Sequence, residues 1–252
     1  MSLPNIAGAD LFALIWFLCW VVGYTIFSRR ESRRAEPSLV VAMFEFRKLW
    51  FTQMITRHNR IGDVAAVNGL QSTSTFFAST TILILGGLIA LLGNSERIID
   101  VVSEIPFTRH ASILVWQVKI LLLIFIFIYA FFKFTWSVRQ FNFCAILVCA
   151  APPPTDAPEK HPGEIDLLTE IASYAAENFN QGLRAYYFAL AALTWLLHPW
   201  LLVVASVSVV YVLYQREFHS RTLYALIAER PSVRLAVADS GVSLRVPHEG
   251  QG

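Results

Sequence analysis

The sequence predicts an all-α, polytopic helical membrane protein with about four transmembrane helices and amphipathic cytoplasmic helices between them. Three observations carry this. Hydrophobic residues make up 56% of the 252 and charged residues only 15%, with a mean hydropathy of +0.53, so much of the chain is suited to lipid as solvent. Four stretches approach the ~20 apolar residues that a spanning helix needs. The segments between them hold most of the charge, and their apolar residues recur at helical spacing.

The first span is "LFALIWFLCWVVGYTIF", residues 11–27. Its leader, "MSLPNIAGAD", has no Lys or Arg and no small-residue cleavage site follows, so it reads as a retained span and not as a signal peptide. The second, about 74–93, lies inside an uncharged run from Val64 to Ser95. The third, about 111–132, holds one charge, Lys119. The fourth, about 185–214, is interrupted by "WLLHPWLL". Thirty residues of straight helix would be ~45 Å long against a hydrocarbon core of ~30 Å. Pro199 lacks an N–H and clashes with the preceding turn. One kinked or tilted span is the preferred reading, and a short hairpin turning at His198-Pro199 is its rival.

Lys and Arg number eight between residues 28 and 72, two between 94 and 112, and four between 133 and 184. The positive-inside bias therefore assigns 28–72 and 133–184 to the cytoplasm and the N-terminus to the outside. Five more arginines beyond residue 215 fit poorly with the external tail that four spans imply.

Within 28–72, Pro37-Ser38 starts a helix to about residue 60, with Ser38 as its cap. Its Leu39, Met43, Phe46, Trp50 and Met54 share a face, which suits either the inner leaflet or the protein's own helices. "APPPTDAPEKHPG", 151–163, is a linker. Ile165, Leu168, Ile171, Ala175 and Phe179 then form the apolar stripe of a helix running toward the fourth span. Residues 228–252 read as a flexible tail.

"KFTWSVRQFNF", 133–143, continues the third span with two polar stripes, Lys133/Ser137/Gln140 and Thr135/Arg139/Asn142. An interfacial anchor needs one polar side, so this helix is expected to contact others on several sides. A candidate cytoplasmic polar network comprises Arg60, Asp63, Arg139, Asn142, Glu177, Asn180 and Arg184, with Asp63 and Glu177 compensating Arg139, Arg184 or Arg60. The preferred reading of these residues is a set of solvated and snorkelling side chains, and the network is its rival. Lys119 is expected to snorkel outward, with a pore-facing role as the alternative. His198 is expected to serve backbone freed by Pro199, with proton sensing as the alternative. Hydroxyls in "STSTFFASTT", 72–81, suit close helix packing more than an ion path.

Cys19, Cys144 and Cys149 sit in apolar stretches with no C-x-x-C and read as small buried hydrophobes. No zinc motif, phosphate loop, nucleophile with a base, or carboxylate pair is recognisable, so no catalytic, cofactor or metal residue is assigned. No extended basic face suggests nucleic acid.

The segments "RHNRIGDVAAVNGLQSTSTFFASTTILILGGL", "FFKFTWSVRQFNF", "GLRAYYFALAALTWLLHP" and "YQREFHSRTL" resemble the domain of unknown function 599 family, over about residues 6–225. The resemblance implies a multi-span protein, typically of a bacterial inner membrane, and brings no activity or catalytic residue with it. The expected role is a non-enzymatic scaffold or accessory component, in contact with membrane lipids and binding a partner or another copy of itself through its cytoplasmic helices. The alternative is an oligomeric channel or transporter for a small ion or metabolite.

Overall fold

A computed structural model describes residues 8–31, 39–94, 113–154 and 158–228. These form seven α-helices: α1 (Gly8–Glu31), α2 (Leu39–Thr56), α3 (Ile61–Gly93), α4 (Ile113–Ala150), α5 (Pro162–Thr194), α6 (Pro199–Phe218) and α7 (Arg221–Ala228), with one 3-10 turn at Pro158–Lys160. Ser38 and all but the first residue of the tail lie outside the described residues. The fold is all-α among the described residues, and four helical stretches, in α1, α3, α4 and the α6–α7 region, are long and apolar enough to cross a membrane.

The second and third spans extend far beyond what a bilayer requires. α3 has 33 residues and α4 has 38, about 50 and 57 Å against a hydrocarbon core of ~30 Å. Nothing in Ile61–Gly93 or Ile113–Ala150 breaks a helix, and α4 stops where Pro152-Pro153-Pro154 makes continuation impossible. α5 restarts with Pro162 in its first turn, where a missing N–H costs nothing.

α4 is the central helix and packs antiparallel to both α3 and α5. Lys119 meets Trp195, and Ser137 meets Ala175, which sets the α4–α5 register. Ser74 meets Ser137, and the Phe77 and Phe134 rings stack at 5.3 Å, which sets the α3–α4 register. Phe134 is fully buried, and its ring occupies the space above Gly182: a Cβ there would lie 2.6 Å from it. Glycine is what lets α5 approach α4 this closely.

The fourth span requires correction. α5 ends at Thr194, residues 195–197 turn, and α6 starts at Pro199. Arg184 and Glu217, 33 positions apart, are 2.9 Å from each other, whereas one continuous helix would separate them by ~50 Å. Residues 185–214 are therefore the hairpin, not one kinked span. The break itself is local: Pro199 donates no hydrogen bond, His198 before it is extended at φ −156°, ψ 139°, and its side chain caps the new helix.

Two hydrophobic cores result. One lies between α1, the later part of α3, α4, the last third of α5 and α6, around Phe17, Leu88, Ile120, Leu123, Phe188 and Leu202. The other lies between α2 and the extensions of α3, α4 and α5, around Phe51, Met54, Ile55, Phe141, Cys144 and Leu168. α2 thus packs on the protein's own helices, with α7 against it through Ala42 and Leu223. Its buried face is centred on Ala42, Phe51, Met54 and Ile55, rotated from the Leu39–Met54 stripe expected from spacing.

Candidate functional site

Buried polar groups mark the candidate site, because each must be compensated inside the protein. The buried charged groups among them fall at three levels along the molecule.

At the end away from α2, the Lys119 ammonium lies 3.2 Å from the Asp10 carboxylate and donates to the Trp195 carbonyl at 2.9 Å. Trp195 Nε1 donates to the same carboxylate at 3.0 Å. Lys119 is 5% exposed, so it does not snorkel outward. The turn after α5 exposes the Trp195 carbonyl, and α1 begins with an acid in its first turn, where the helix dipole favours negative charge.

At the level where α1 and α6 end, Glu217 joins three helices. Arg184 donates to both of its oxygens at 2.9 and 3.1 Å, Tyr24 donates at 2.9 Å, and Ser28 at 3.4 Å. The Arg184 guanidinium also lies over the Tyr24 ring at 5.7 Å. Arg184 was expected to pair with Asp63 or Glu177, and its partner is Glu217.

Further along, Asp63 is buried and accepts from Trp50 Nε1 at 2.7 Å and from Arg57. Arg60 is held apart from Asp63. It donates to the Ala151 and Pro152 carbonyls at 2.9 and 2.5 Å, which ties the proline linker to the start of α3. His58, Asn59, Arg60 and Ile61 line a shallow groove of about 570 Å³ beside it.

Of the two stripes of 133–143, Lys133/Ser137/Gln140 faces protein, whereas Thr135/Arg139/Asn142, which includes two residues of the candidate network, is exposed. Ser137 is fully buried and donates to the Ala175 carbonyl at 2.8 Å. Asn178 donates to Gln140, and Lys133 donates to Asn178. Arg139 and Asn142 are exposed, and Arg139 lies over the Trp136 and Phe143 rings at 5.5 and 5.6 Å. Glu177 is exposed and accepts from Gln181 one turn away, and Asn180 is exposed. The seven-residue network is therefore not one network, because Arg139, Asn142, Glu177 and Asn180 point outward. His198 accepts from the Trp200 N–H at 3.3 Å and so caps α6. Ser74 and Thr81 are buried between helices, while Thr73, Thr75 and Thr80 bond the carbonyl four residues back. Cys144 is buried, but Cys19 and Cys149 are exposed. Among the described residues no group of three His, Cys, Asp or Glu is arranged to hold a metal ion.

Sequence reasoning missed Asp10, Tyr24, Trp195 and Glu217. A signal for two of them existed: Lys119 and Arg184 each needed a buried acid, and Asp10 and Glu217 are acids bordering apolar runs.

Long apolar helices, paired charges at both ends of a helical core and a hairpin between α5 and α6 define a polytopic α-helical membrane protein. The chain belongs to the family described as "Protein of unknown function, DUF599", whose model matches residues 12–222. No curated protein and no solved structure matches it.

Proposed function

We propose that this chain is a non-enzymatic integral membrane protein of a bacterial inner membrane, and that its layer of α2 with the extensions of α3, α4 and α5 is a cytoplasmic platform for a partner or for another copy. The carrying observation is that this layer has a hydrophobic core of its own, built by continuing helices well past the length a bilayer needs. Its α5 surface presents Glu170, Tyr174 and Glu177 at helical spacing, all exposed. Tyr174 donates to Glu170 at 3.1 Å, and that carboxylate pushes the phenol above its usual range, so it stays a donor.

The hairpin supports a cytoplasmic assignment for this layer. If α5 crosses with the ~30 Å from Asn178 to His198, there are five crossings, and the tail returns to the side of α2. The positive-inside rule then places segments with eight, four and five Lys or Arg inside, against two outside, with the N-terminus external.

Mild solubilisation of the native membrane should yield a stable complex of defined copy number, and Glu170→Lys with Glu177→Lys should dissociate it while leaving the chain inserted. Recovery as a lone monomer with no partner would overturn the platform reading. A second reading, a transporter for a small ion or metabolite, is favoured by one feature. The Asp10–Lys119 and Arg184–Glu217 pairs both join the α1–α6 pair to the α4–α5 pair, at opposite ends of the apolar core. Flux into liposomes that changes in Asp10→Asn or Glu217→Gln protein would establish that reading instead.

A further inference from the structure

The outer face of α4 is one continuous stripe of exposed apolar side chains, including Leu121, Phe125, Phe132, Trp136, Phe143 and Ile146. Within the membrane this face needs no explanation, since lipid covers it. About 30 Å of helix runs from Ile113 to Lys133, so Trp136, Phe143 and Ile146 continue the stripe beyond the hydrocarbon. Arg139 interrupts it, one turn from each of Trp136 and Phe143, and its guanidinium carbon lies 5.5 and 5.6 Å from the centroids of the two rings. Among the described residues no carboxylate lies within 4 Å of it.

We infer that Trp136, Arg139 and Phe143 form a binding site for the phosphate of an anionic phospholipid, in the leaflet on the α2 side of the membrane. Arg139 lies ~9 Å past Lys133 along the axis. Side chains on a helix lean toward its N-terminus, and α4 leaves the membrane C-terminally, so the guanidinium reaches back toward the headgroups. That region adds several Å on each side of the hydrocarbon core. Trp136 sits where an interfacial tryptophan belongs. Two flanking rings hold the planar cation in place, and its fork of donors matches a phosphate bidentately. The surface is continuous with the lipid-facing stripe and its charge complements an anionic headgroup, which selects lipid over a protein partner as the occupant. The inference rests on α4 spanning the bilayer, which resistance to alkaline extraction tests separately.

The test uses the full chain in nanodiscs of phosphatidylcholine containing a minor fraction of phosphatidylglycerol, with retained lipid counted by native mass spectrometry. Arg139→Gln should lower phosphatidylglycerol retention about fivefold, the factor corresponding to ~1 kcal/mol per surface arginine. Arg139→Lys should keep part of it, and Lys160→Gln, an exposed cation far from the membrane, should leave it unchanged. Trp136→Leu, which preserves the cation, should also weaken retention and serves if Arg139→Gln protein does not accumulate. Wild-type retention in both Arg139→Gln and Trp136→Leu would overturn the site. Equal losses in Arg139→Gln and Lys160→Gln would reduce it to a diffuse surface charge, and displacement of the lipid by millimolar inorganic phosphate would make it a site for soluble phosphate.

Discussion

Lys119 shows how a single residue can be identified as important from sequence while its role is misjudged. One lysine in a spanning segment demands compensation or escape to water, and from the α4 sequence alone escape is the simpler solution. The structure compensates it with Asp10 from a helix over a hundred positions away and with a carbonyl left without a helical partner because α5 stops at Thr194. Breaking a buried pair from one side strands the other charge, at a cost of ~3–5 kcal/mol. Lys119→Met should therefore destabilise the purified protein by about that much, measured by thermal unfolding in detergent. The double variant Lys119→Met with Asp10→Asn should be less destabilised than the sum of the two single changes. Strict additivity would show that the pair is not coupled. Arg139 is the converse case. Its residue type and helical position suggested a buried partner, yet the stripe it occupies faces outward, because neighbours on both sides of α4 take the Ser137 face.

Among the elements, the α4–α5 pair depends on Gly182, where a Cβ would enter the space of the buried Phe134 ring. Gly182→Ala should cost ~1–3 kcal/mol through overpacking, and Phe134→Leu in the same chain should recover part of the loss. If Gly182→Ala melts with the wild type, the close approach contributes nothing. The α5–α6 hairpin is testable as geometry. Tyr187 and Arg216 bond each other at 2.5 Å, but would stand ~44 Å apart along one continuous helix. Spin labels on cysteines at these two positions, in a chain lacking Cys19, Cys144 and Cys149, should report a separation far below that value. Pro199 and the spacing around it made a break at this point legible in the sequence. The angle of the break was not legible, because the Arg184–Glu217 pair and the apolar contacts between α5 and α6 determine whether the second half folds back.

At the scale of the whole molecule, the hairpin places α7, α2 and the ends of α1 and α6 at one end of the bundle. With five crossings, thiols introduced at Lys48 or Tyr224 should react with a membrane-impermeant reagent from one side, and thiols at Asn94 or His198 from the other. Reaction of Tyr224 and Asn94 from the same side would eliminate the fifth crossing. The helical class, the first three spans and the proline linker were determined by sequence alone, because hydrophobic period, run length and proline act over a few turns of local chain. The choice of partners was decided by the tertiary structure. A helix can present any of several faces, and which polar groups meet depends on register between segments distant in sequence. Here that register is set by Gly182 under Phe134, Ser137 between α3 and α5, and a turn at residues 195–198 that brings Glu217 to Arg184.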